Sequence, residues 1–225
     1  MLNFEFSKVG EYWRLFASGF NFRRHAGPLH DIETIEEFVV SRSAFIAQKT
    51  LYGYVKTRMG TKYPEMFRDD NIIDSLNIAK MHVFDACLSD FSIWAVATAL
   101  SRAGIDDSRC RDIALDIFRR GHEQNPDPSV SQFSSADAVC AFEARLADVD
   151  WSGTALTRDQ FTASPAAVVK WAPIADQLKK YDVEYVENSV KFAWNNIRRQ
   201  FEGRLDADAL AASLAARPAT DGSAG

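Results

Sequence analysis

The stretch AKMHVFDACLSDF, from Ala79 to Phe91, brings Lys80, His82, Asp85, Ser89 and Asp90 close together in the chain. A histidine, a carboxylate and a hydroxyl are the groups of acid–base and nucleophilic catalysis. On a helix, at about 100° per residue, His82, Asp85 and Ser89 share one stripe. His82 would change protonation, Asp85 would orient it or stabilise its charged form, and Ser89 would be the nucleophile. One distance opposes this. Seven residues of helix set the Cα atoms of His82 and Ser89 roughly 10 Å apart, whereas proton transfer needs about 3 Å. A second helix would have to supply the missing partner, with Lys56 or Tyr54 as candidates. The structural alternative is a satisfied i,i+3 pair at the edge of the core.

A second cluster lies in QKTLYGYVKTRMGTKYPEMF, Gln48 to Phe67. Lys49, Gly53 and Lys56 share a helix face. Glycine inside a helix costs roughly 1 kcal/mol against alanine, so a crossing helix is expected to approach closely at Gly53. Tyr54, Lys56, Arg58, Lys62 and Tyr63 gather at the helix end. They read either as packing plus cations suited to the helix dipole, or as a pocket for a small anionic ligand with tyrosine walls.

Other chemistries lack their groups. No G-x-S-x-G, G-x-G-x-x-G, G-x-x-x-x-G-K or H-E-x-x-H occurs. A helical di-iron site needs Glu-x-x-His from two helices, and the one near match, His82-x-x-Asp85, is reversed. No metal and no cofactor are expected. The stretches QKTLYGYVKTRMGTKYP, IAKMHVFDACLSD and VENSVKFAWNNIR resemble a group of small, uncharacterised proteobacterial proteins loosely labelled esterases. That resemblance covers the middle of the chain and a C-terminal stretch. It implies a bacterial origin and ester hydrolysis, without attaching a catalytic set.

The elements that must position these residues are helices. Ser7 opens a first one, with Val9, Trp13, Phe16 and Phe20 in a stripe. Arg23, Arg24 and His25 follow it. Docking on the protein's own core is expected of this helix, with a membrane surface as the alternative. Asp31 or Thr34 starts the second helix, which runs to Gly60, and Thr34-x-x-Glu37 fits a capping box. The third runs from Asp70 or Asn71 to about Arg102. A fourth starts at Asp107 or Ser108 and ends at Gly121. EQNPDPSVSQ is the clearest linker. Ser134 or Ser135 starts a fifth helix, to about Val149. Ser164-Pro165 starts a short helix, and Pro173 precedes another. A long helix covers Asp182 to Glu202, with Val183, Val186, Val190, Trp194, Ile197 and Phe201 as its apolar stripe. DADALAASLAA is the last. The expected fold is all-α, an irregular multi-helix bundle with a long central helix. Residues 1–124 read as an N-terminal helical domain and 125–217 as a C-terminal helical region that could join it. Residues 218–225 read as a disordered tail.

The 225 residues are 47% hydrophobic and 25% charged, with a net charge of −5, which disfavours nucleic-acid binding. Cys87, Cys110 and Cys140 are odd in number and widely spaced, which points to a reducing, cytoplasmic setting. The longest apolar run, Phe91 to Leu100, is about half what a membrane span requires, and the N-terminus does not read as a signal peptide. The expectation is a soluble helical interaction or accessory protein that holds a partner protein. Its alternative is a small hydrolase using His82, Asp85 and Ser89.

Overall fold

The computed structural model describes residues 27–103, 106–127, 130–151 and 161–216. The expected helix after Ser7 and the tail after Arg217 lie outside the described residues. Within them the fold is all-α, and the backbone pairing outside the helices is one isolated bridge between Leu29 and Leu205.

Helix α1 (Ile32–Met59) begins at Asp31, whose carboxylate accepts the Thr34 amide at 2.8 Å while the Thr34 hydroxyl accepts the Asp31 amide at 3.3 Å. The capping box therefore pairs Asp31 with Thr34, one step before the expected Thr34–Glu37 box. Asp31 wins because its side chain reaches the third helical amide from outside the helix. Gly60 ends α1 at φ 58°, a conformation glycine reaches without steric penalty. A short turn of helix, α2 (Tyr63–Met66), leads to α3 (Asp70–Ala103).

Helix α3 is the centre of the molecule. It packs against α1, α4 (Asp107–Gln124), α6 (Ala163–Trp171) and α9 (Ala207–Ala216), with α5 (Ser135–Leu146) beside α4. Over its span Asp70–Leu100 it is long and apolar enough to cross a membrane, yet almost all of its apolar window is buried inside the fold. A helix that is apolar all round and covered on every side is a core helix. The short α7 (Asp176–Lys179) precedes α8 (Val183–Glu202), which lies against α1 and α6. Most aromatic residues of the described chain go to this core. The Phe91 and Phe161 rings lie tilted against Trp194 at 5.0 and 4.8 Å, and Phe201 reaches both Trp94 and Phe38 at 5.5 and 5.8 Å. One buried cluster extends from Leu29 to Leu214.

Neither Gly53 nor Gly121 has the role expected of it. Gly121 does not end α4, which continues to Gln124. It is the close-approach glycine: a Cβ there would fall 2.5 Å from Leu88 Cδ2 and 3.2 Å from Val40 Cγ2. Among the described residues nothing lies within 4 Å of a Cβ built on Gly53. Among the described helices none crosses there in contact.

Candidate functional site

Lys80, His82, Asp85, Ser89 and Asp90 of α3 find their partners outside that helix. His82 is half-buried, stacked on the Trp171 ring at 3.5 Å and 5° and edge-on to Phe133 at 5.2 Å. Burial holds its pKa below the ordinary histidine value, Lys170 lowers it further, and Asp85 opposes the shift. The hydrogen bond of Asp85 goes elsewhere, to Nε2 of the buried His122 on α4 at 3.0 Å. A carboxylate only accepts, so Nε2 carries the proton. Ser89 accepts from Arg145 of α5 at 2.7 Å. Lys80, although buried, pairs with Asp127 at 3.0 Å. Among the described residues no hydrogen bond joins His82, Asp85 and Ser89 to one another, and neither Lys56 nor Tyr54 bonds to any of them.

Asp90 is the hub of this region. It is fully buried and accepts from Arg145 at 2.7 Å, from the Ala163 and Ser164 amides at 3.2 and 2.7 Å, and from the Ser164 hydroxyl at 2.7 Å. Trp194 donates in turn to the Ser164 hydroxyl at 3.0 Å. The two amides open α6, whose own N-cap residue Thr162 provides no side-chain bond. A carboxylate from the central helix therefore satisfies the first donors of another helix and complements its dipole. Burial pushes the Asp90 carboxyl above its usual range, while Arg145 and Ser164 pull it back.

Two of the cations at the end of α1, Arg58 and Lys56, have partners within the fold. Arg58 binds Asp182 with two nitrogens, and the Tyr54 hydroxyl donates to the same carboxylate at 2.8 Å. Arg58 holds the Asp182 carboxyl below its usual range, and burial with Asp182 pushes the Tyr54 phenol up to about 12. Asp182 is the N-cap residue of α8 but makes no side-chain bond to it, so it ties the start of α8 to the end of α1. Lys56 lies over the Tyr63 ring at 4.9 Å, Tyr63 sits edge-on to Phe67, and Lys62 is exposed.

A groove of about 270 Å³ runs between α1 and α8, lined by Lys49, Thr50 and Gly53 on one side and by Tyr185, Ser189 and Phe192 on the other. The missing side chain of Gly53 keeps it open. Its aromatic residues are not core residues: Phe192 is 78% exposed, Tyr185 62%, and Tyr181 just before them 76%. The core stripe of α8 is Val186, Val190, Ala193, Trp194, Ile197 and Phe201, with Val183 exposed. Tyr185 and Phe192 sit roughly 130° round the helix from that stripe at 100° per residue. Two large aromatics on the polar face of an amphipathic helix were a legible signal in the sequence. The pairing of Asp182 with Arg58, of His122 with Asp85, and of Arg145 with Asp90 had none, because each joins residues far apart in the chain.

A second hollow, of about 460 Å³, lies between α1 and α4, with Glu33, Glu37 and Glu123 at its rim. Its inner carboxylate, Glu36, accepts from Arg120 at 3.2 Å and Gln124 at 2.8 Å, and burial raises its pKa. Among the described residues no set of three His, Cys, Asp or Glu converges on a metal position. No family model matches the chain, and no curated protein or solved structure matches it significantly.

Proposed function

We propose that this is a soluble, cytoplasmic helical interaction protein, and that the groove between α1 and α8 holds a helix of a partner protein. The exposed aromatic edge of that groove carries the reading. Monomeric proteins seldom leave a contiguous apolar patch open, and an amphipathic helix laid in a groove is a common way of closing one. The walls suit such a guest: Tyr185 and Phe192 offer broad, stiff contact area, while Lys49, Thr50 and Ser189 give it a polar edge. Gly53 supports the same reading. Its helix-weakening effect serves no contact within the described fold, and the space it leaves is usable from outside.

The test is capture from the native host followed by mass spectrometry, run in parallel with the parent chain and Phe192→Glu. Phe192 is exposed, so the variant should fold normally. A protein retained by the parent and lost by the variant is the expected result. Equal recovery of every captured protein would remove the groove from the explanation.

A further inference from the structure

The face that carries the groove also carries the knob that would fill it. Phe192 projects from α8 beside the hollow over Gly53. A surface bearing both a projection and a matching recess is self-complementary, the condition for a two-fold interface. From this geometry, and resting on the groove reading above, we propose that α8 pairs antiparallel with α8 of a second copy, each Phe192 entering the partner's groove over Gly53.

The register follows from the positions of the residues. A two-fold axis between Asn188 and Ser189 sets Phe192 opposite Tyr185 of the other copy, because the two lie at equal distances on either side of it. Tyr185 lines the groove across from α1, so a ring arriving against it also arrives over Gly53. The flank has matching charges. Glu184 and Lys191 are both exposed, one heptad apart on the same flank. In an antiparallel pair about nearly the same axis, Glu184 of each copy meets Lys191 of the other. Lys191 reaches the neighbouring Glu187, at 3.7 Å. The open aromatic area supplies about half of one copy's share of such an interface. Taking roughly 200 Å² for a whole aromatic side chain, Tyr181, Tyr185 and Phe192 leave on the order of 400 Å² open. A standard interface takes about 800 Å² from each partner. Phe45, itself exposed on α1, and the charged flank extend the patch towards that size.

Sedimentation equilibrium over a wide concentration range tests this, with Phe192→Glu, Gly53→Leu, Glu184→Lys and the double variant Glu184→Lys with Lys191→Glu. The parent should dimerise. Phe192→Glu should weaken association at least about thirtyfold, the loss of one central aromatic anchor. Gly53→Leu should also yield monomer, with its circular dichroism intact, because the new side chain fills the recess and its Cβ meets no described neighbour. Glu184→Lys should weaken the dimer and the double variant restore it. A parent that stays monomeric overturns the proposal. So does a dimer indifferent to both Phe192→Glu and Gly53→Leu, whose interface would lie elsewhere. A monomeric parent that still loses a captured host protein on Phe192→Glu overturns the second copy as occupant and leaves the groove reading standing.

Discussion

His82 lies flat on Trp171 with its charge disfavoured by burial. A histidine whose folded pKa is lower than its unfolded one takes up its proton more readily in the unfolded chain. Its contribution to stability is therefore intact above the ordinary value, about 6.5, and is lost as pH falls from there through the lowered value. Urea midpoints at neutral and mildly acid pH should show this loss in the parent and a smaller one in His82→Phe. An unchanged pH dependence would mean that the imidazole stays uncharged or is not packed as seen. The two glycines give a paired expectation. Gly53→Ala should stabilise by up to about 1 kcal/mol, since its side chain meets no described neighbour and helix propensity is all that changes. Gly121→Ala should destabilise by about 1–3 kcal/mol, because its Cβ enters the space of Leu88 and Val40. The same urea titration reads both, and equal signs would contradict the packing at one of the two positions.

Among the elements, α6 depends most on a residue outside itself. Its first two amides end on Asp90 of α3, and the same carboxylate neutralises Arg145 of α5. Asp90→Ala removes an acceptor shared by two helices and takes the carboxylate away from the Arg145 guanidinium and the Ser164 hydroxyl. Loss of one member of a buried pair typically costs about 3–5 kcal/mol. We expect a loss of that size, with the amides of α6 exchanging faster than those of α3. Loss of stability spread evenly over all helices would show that Asp90 supports the whole core rather than this junction. The link from Asp182 to Arg58 and Tyr54 is the exposed counterpart. Because the Asp182 carboxyl is held below its usual range, the link is present at neutral pH and is lost as pH falls below about 4.

At the scale of the whole molecule, the last helix closes the bundle. Leu210 and Leu214 of α9 are buried against the central helix, and the Asp206 amide donates to Leu29 at 3.0 Å, joining the two ends of the described chain. Ending the chain after Leu205 should lower the melting temperature by several degrees, since two buried leucines contribute roughly 1.5–3 kcal/mol each. An unchanged melting temperature would show that the core closes without α9. Far-ultraviolet circular dichroism of the parent should be dominated by helix.

Much of this architecture is local in origin and therefore legible. Apolar residues recurring every three or four positions, Ser134 before α5, Gly60 at the end of α1 and Pro165 in the first turn of α6 specify helices from neighbouring residues alone. The central place of α3 was equally visible, because its second half is apolar all round. The amino-acid sequence by itself thus determined an all-helical bundle and where most of its helices begin and end. It also placed His82, Asp85 and Ser89 on one stripe, but a stripe does not say what faces it. Trp171, His122 and Arg145 come from three other helices, and which helix meets which is a matter of crossing angle and packing, not of spacing along one chain. The same holds for the glycines. Gly53 and Gly121 are indistinguishable as letters, and only the approach of Leu88 to one and of no described residue to the other set them apart. The groove was decided in the same way, where α1 and α8 diverge around a missing side chain.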